Sequence, residues 1–110
     1  MISNIDMKEY KMYTLYKAND GKHKFFVILP NGEKDGHMKT KKISFGAVGY
    51  SDYTIHKDSD RKDRYVLRHK KDRLDDPYHP GFWAMFVLWN YTSLTKSFKD
   101  AVKRAKKILK

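Results

Sequence analysis

Phe98, Ala101, Val102, Ala105, Ile108 and Leu109 recur at intervals of three and four residues, and Lys96, Lys99, Lys103, Arg104, Lys106, Lys107 and Lys110 fill the positions between them. This is the period of a helix with one apolar stripe and a cationic outer face. Such a stripe needs cover, so the rest of the chain must supply an apolar surface for it, either a sheet or another helix. Ser93 or Thr95 is placed to cap its start.

Upstream the period is different. MYTLYK at 12–17 alternates and is rich in aromatic and β-favouring residues, NDG at 19–21 reads as a turn, and HKFFVIL at 23–29 is a short apolar run. PNGEKDG at 30–36 reads as the next turn. HMKTKKISFGAVGY at 37–50 then sets Met38, Thr40 and Lys42 on one face and Lys39, Lys41, Ile43 and Phe45 on the other. This predicts a third strand, bent near Gly46 or Gly49 where glycine relaxes the backbone.

Beyond residue 57 the pattern turns helical. Asp58 and Ser59 are N-cap candidates, Asp58, Asp60 and Asp63 suit a helix N-terminus, and RKDRYVLRHKK runs on to a basic end that suits the C-terminal dipole. The expected helix has about three to four turns, and Asp60 and Arg64, four apart, are placed to pair on its surface. LDDPYHPG at 74–81 breaks the chain, and GFWAMFVLWN at 81–90 resumes as an almost wholly apolar segment. Periodicity alone does not separate a buried helix from a buried strand here. Ala84, Met85 and Leu88 favour helix, with TSLT as a joint to the final element.

These signals predict a single α+β domain over 1–110, β-rich over 1–50 and helical over 58–110: a three-stranded antiparallel meander followed by two or three helices. A length of 110 residues with 40% hydrophobic and 15% aromatic content suits one folded domain. With no cysteine, a disulfide framework and a thiolate zinc site are excluded, which fits a reducing compartment. MISNIDMKEYK has no sustained apolar core, and the apolar run 82–89 is too short to span a bilayer. The expectation is a soluble intracellular protein without a membrane span; nothing in the pattern specifies an oligomeric state.

The formal net charge of +11 favours polyanionic partners: nucleic acid, an anionic membrane or an acidic protein surface. It is unevenly spread, since 58–76 holds seven bases and six acids whereas 77–110 holds seven bases and one acid. Lys99, Lys103, Arg104, Lys106 and Lys107 therefore make the stronger electrostatic footprint. Arg61, Arg64 and Arg68, interleaved with Tyr50, Tyr53 and Tyr65, add a composition used in phosphate contact and base stacking. No base-reading signature accompanies them, so such binding is expected to be independent of sequence. The apolar side of the last helix is small and suits the protein's own core better than a membrane surface. FWAMFVLW reads as core, with Trp83 or Trp89 as an interface anchor if the domain assembles with others.

His56, Asp58 and His69 are the residues from which an acid-base or metal centre would be built. Their spacing matches no known catalytic or ligand motif, and no glycine-rich phosphate loop or nucleophile elbow is present. They are expected to be hydrogen-bonded structural groups, and no catalytic residue, metal or cofactor is assigned.

ISFGAVGYSDYTIHKDSDRKDRYVLRHKK, followed by a tryptophan segment ending LWNYTSL, resembles a family of small basic proteins without an assigned activity, encoded by large nucleocytoplasmic DNA viruses of protists and algae. The pattern is an FGA and GYSDYT block, then HKD, then RK, RY and RH, then LWN. It falls here on Phe45, Gly46, Ala47, Gly49, Tyr50, Asp52, Tyr53, Thr54, His56, Lys57, Asp58, Arg61, Lys62, Arg64, Tyr65, Arg68, His69 and Leu88 to Asn90. KDRLDDPYHPGF departs from it, because relatives place a tryptophan soon after the RH pair. The resemblance implies a viral protein present in the virion and, during infection, in the host cytoplasm. The resemblance carries no activity with it; in that context the expectation is a non-enzymatic structural role as a minor capsid or core component, with capsid or other virion proteins as partners. A sequence-independent DNA- or RNA-binding protein is the alternative, and a nuclease-like enzyme the third reading.

Overall fold

A computed structural model describes residues 10–109 of the chain. Lys110 and the N-terminal residues 1–9 lie outside the described residues, and with them most of the segment read above as lacking a leader. Strands β1 (Leu15–Lys17), β2 (His23–Lys34) and β3 (His37–Ala47) form an antiparallel sheet in the order β1-β2-β3. Helices α1 (Tyr53–His56), α2 (Ser59–His69), α3 (Pro80–Trp83) and α4 (Leu94–Leu109) follow, and α3 continues directly as a π-helical stretch, Ala84–Leu88. The fold is α+β, a three-stranded meander followed by helices. Among the described residues no helix is long and apolar enough to cross a membrane.

The first turn forms where expected. Asp20 Oδ1 accepts from the amides of Lys22 at 2.9 Å and His23 at 2.8 Å, and Gly21 takes a positive φ of 76°. The second turn differs from the sequence reading, which assigned all of 30–36 to it. β2 and β3 instead run on as a two-stranded ribbon to the pair Lys34 and His37, and only Asp35 and Gly36 turn, both at positive φ as a tight hairpin requires. The register shifts between Pro30 and Glu33. Pro-Asn-Gly therefore forms a bulge inside the ribbon, a place where a residue without an N–H is tolerated.

The middle of β2, Phe26 to Leu29, is buried on both faces, which is why FFVIL is a continuous apolar run. Val27 and Leu29, with Ile43 and Phe45 of β3, face Phe82, Trp83, Val87 and Leu88. On the reverse, Phe26 is covered by Tyr10 and Tyr16, each with its ring centre 5.2 Å away, and by the Lys42 ammonium at 4.4 Å. The segment expected to be helix over 81–90 is helical as far as Leu88 and is core, with Phe82, Trp83, Met85, Val87 and Leu88 buried, so its lack of period reflects burial on several sides. His79 caps it by accepting from the Gly81 amide at 3.1 Å, and Pro80 takes the first helical position.

α4 lays Ala101 and Ala105 against this tryptophan segment, and Phe98 lies 6.1 Å from the Trp83 ring. Ser93 Oγ accepts from the Lys96 amide at 3.2 Å. The stripe does not stay covered to its end, because Ile108 is 46% exposed. α2 has about three turns, as expected, and stops at His69 with Lys70 as its C-cap, while β1 keeps only the last residues of the predicted 12–17 strand.

Candidate polyanion-binding cleft

Where β3 leaves the sheet, Gly46 adopts φ 80°. A Cβ here would lie 2.9 Å from Leu88 Cδ1 and 3.2 Å from Lys24 Cβ. Only glycine lets the strand exit approach the helical layer this closely. The exit turns away toward Tyr50 and Asp52, and α2 then returns across the gap. Between them, with Trp89 at the back, lies a cleft of about 460 Å³.

One face of α2 forms its wall. Arg61, Tyr65, Arg68 and His69 all line the cleft, because residues three and four apart share a helix face. Asp58 fixes the start of that helix, its Oδ1 accepting from the amides of Asp60 at 3.0 Å and Arg61 at 3.3 Å. α2 buries no residue completely. It is held by rings: Tyr65 stacks on Trp89 with 4.1 Å between centres and 2° between planes, and His69 stacks at 4.1 Å from Tyr65. Lys62 adds a hydrogen bond of 2.6 Å to the Asn90 carbonyl.

The floor is a buried ion pair. Asp52, 2% exposed, receives Lys24 Nζ at 2.5 Å, the Thr54 amide at 2.9 Å and the Thr54 hydroxyl, and so caps α1 as well. Asp52 and Lys24 neutralise each other. Among the described residues no carboxylate lies within ion-pair distance of Arg61, Arg64 or Arg68. The expected Asp60–Arg64 pair does not form; both side chains are exposed, where such a pair gains little. Arg61 and Arg68 are therefore the uncompensated charges of the cleft. Tyr50, 74% exposed, offers a ring with free faces beside them.

Burial pushes the Tyr65 phenol up to about 12, the Asp72 charge adds to the rise, and Arg68 opposes it. The phenol therefore stays protonated across the neutral range. A raised folded-state value means that the folded chain holds its proton above pH 10 where the unfolded chain releases it, so stability is lost as pH rises from about 10 toward 12. The urea midpoint is expected to fall more steeply over that window in the native chain than in Tyr65→Phe. Equal slopes would show that the phenol is not the titrating group.

The histidines sit apart. His56 Nδ1 accepts from the Asp58 amide at 2.9 Å, and its buried Nε2 has no partner among the described residues. His69 Nδ1 pairs with Asp72 at 2.9 Å. Two rings, Trp89 and Tyr65, separate them, with Trp89 5.3 Å from His56. Among the described residues no three His, Asp or Glu side chains gather as a metal site.

The cations of α4 do not join the cleft. Lys103, Arg104 and Lys107 border a separate trough, Lys106 lies 5.1 Å from the Tyr13 ring, and Lys99 is exposed. Of the residues proposed from sequence for a polyanion, Arg61 and Arg68 line the cleft and Lys103, Arg104 and Lys107 the trough, whereas Arg64, Lys99 and Lys106 are exposed and line neither. Tyr50, Asp52, Tyr65, His69 and Trp89 are brought to one cleft, whereas His56 and Asp58 stand at its edge in the cap of α2. Lys24 escaped the sequence reading, because nothing local ties it to an aspartate 28 residues away.

Residues 13–69 match DUF5754, described as a family of unknown function. The chain belongs to the DUF5754 family. No curated protein and no solved structure matches it. The DUF5754 match takes in the sheet, α1, α2 and both faces of the cleft that carry charge. It stops before Trp89, on which Tyr65 stacks, and before α4.

Proposed function

We propose that this DUF5754 protein is a non-enzymatic module that binds single-stranded nucleic acid without reading its sequence. The observation that carries the reading is the pair Arg61 and Arg68, free of carboxylates on the wall of a cleft that also offers the exposed Tyr50 ring. Arginine forks suit phosphate oxygens, and an exposed ring stacks on any base. The cationic face of α4 adds long-range attraction. Histidines kept apart by two rings offer no paired acid and base, which supports binding over turnover. In the viral setting that the resemblance implies, the module would sit in the particle between genome and capsid. Mass spectrometry of purified virions tests that placement separately, and absence from the particles would remove it.

The binding itself is tested by fluorescence anisotropy with an oligothymidylate across a salt series. Log affinity should fall linearly with log salt, and Arg61→Gln with Arg68→Gln should flatten the slope by about 1.4, two single-strand phosphate contacts at ~0.7 each. Tyr50→Ala should cost about 1–3 kcal/mol with the slope unchanged. A salt-independent affinity, or one indifferent to both arginines, would remove nucleic acid as the ligand of this cleft.

A further inference from the structure

A second concavity lies beyond the tryptophan segment. Ala84 and Leu88 line the cleft, whereas Phe82 and Phe86 floor a trough of about 370 Å³ between Leu74 and the last turns of α4. Its interior is apolar, with Phe82 fully buried, Phe86 and Leu74 half-buried, and Ile108 exposed at one end. Its rim is cationic. Lys103 and Lys107, one turn apart, stand along the α4 edge.

Arg104, between them, is already engaged. Its Nε donates to Asp100 Oδ2 at 2.7 Å, and its guanidinium lies 4.3 Å from the centre of the Phe86 ring. Burial pushes the Asp100 carboxyl up, but hydrogen bonds from Arg104 and from Asn90 Nδ2, at 2.7 Å, outweigh it and hold the group below the usual carboxylate range. Asp100 is the only acid of α4. Among the described residues no carboxylate reaches ion-pair distance of Lys103 or Lys107.

We propose that this trough docks a short acidic amphipathic helix of a partner protein, with an aliphatic side chain seated between Leu74 and Ile108, beside the Phe86 ring that Arg104 covers, and flanking carboxylates on Lys103 and Lys107. The charge complement selects an acidic partner, and the floor selects an apolar one. A sugar-phosphate backbone would satisfy the two lysines but leave the phenylalanine floor and Ile108 against polar atoms, where burial contributes nothing. A small amphiphile would stay half in water in so open a trough, unlike the deep burial of ordinary ligand pockets. A bilayer is met by a protruding apolar row, whereas here Phe82 and Phe86 are recessed behind a lysine rim. The inference does not depend on the cleft, which uses other residues.

The test uses the full chain and a helical peptide of about 15 residues, with leucine at each core-facing position and glutamate beside it. One control peptide replaces leucine by serine and another replaces glutamate by lysine. The leucine-glutamate peptide should bind and shift the NMR signals of Phe86, Lys103, Lys107 and Ile108, with both controls weaker by about tenfold or more. Lys103→Glu with Lys107→Glu, and separately Ile108→Ser, should each weaken binding by about tenfold. Circular dichroism should remain unchanged, since these side chains are exposed. Arg61→Gln with Arg68→Gln should leave peptide binding as it was, which separates this proposal from the fate of the cleft. Absence of binding, equal binding of the serine control, shifts confined to other surfaces, or displacement of the peptide by an oligothymidylate or by phosphatidylserine vesicles would each overturn it.

Discussion

Replacing Asp52 with alanine is expected to lower the unfolding free energy by about 3–5 kcal/mol, because removing one partner of a buried pair strands the other. Its carboxylate is 2% exposed and accepts from Lys24 Nζ, from the Thr54 amide and from the Thr54 hydroxyl. Without it the Lys24 ammonium, whose side chain is only 15% exposed, has no opposite charge at the floor of the cleft. α1 also loses its N-cap, which alone is worth about 0.5–2 kcal/mol. Asp52→Asn keeps the cap and should recover part of that second contribution. Denaturant titration at unchanged m-value measures the loss, and a cycle with Lys24→Met isolates the coupling. A cost of Asp52→Ala below about 1 kcal/mol would place the pair with exposed salt bridges and show that the floor of the cleft is solvated.

The same substitution separates stability from binding. Removing the carboxylate leaves Lys24 uncompensated beside Arg61 and Arg68, so any folded Asp52→Ala protein should hold an oligonucleotide more tightly at low salt than the native chain does. Removing a cation that contacts phosphate would instead weaken binding.

Elements whose evidence is local were legible in the sequence. α4 announced itself by spacing, the start of α2 by Asp58, and β2 by its apolar run; each depends on residues within a few positions of one another. The ribbon is not legible locally, because Pro-Asn-Gly and Asp-Gly are both turn signals and choosing between them needs the partner strand's register. The shared face of Arg61, Tyr65, Arg68 and His69 follows from helical spacing, but what that face looks onto does not. Trp89 arrives from the far side of a proline-broken loop and meets Tyr65 plane to plane. Lys24 meets Asp52 only because the strand exit at Gly46 brings the two layers together. The widening of 84–88 into a π-helix left no mark in the residue pattern, since a segment buried on several sides shows no period to disturb.

Trp83→Ala is expected to cost about 3–5 kcal/mol, the range for deleting a large aromatic from a packed core, and to reach the upper part of it. The ring is fully buried and lies 6.4 Å from Phe45 of the sheet, 5.1 Å from Phe82 and 6.1 Å from Phe98 of α4, so it is the point at which sheet, tryptophan segment and last helix meet. Its indole nitrogen donates to the Pro77 carbonyl at 2.7 Å, and truncation leaves that carbonyl without its donor as well as opening a cavity. Trp83→Phe restores most of the volume but not the donor, and should fall between the two, which apportions the loss between packing and hydrogen bond. The family match ends at residue 69, before this ring. Val27, Leu29, Ile43 and Phe45 have their cover in 82–88, so a fragment confined to 13–69 would expose the whole inner face of its sheet. Such a fragment should show no cooperative unfolding transition, whereas the full chain carrying Trp83→Ala should keep one, shifted to lower denaturant. A cooperative transition in the fragment would mean that the family's common unit holds a core of its own and that α4 is an addition to it.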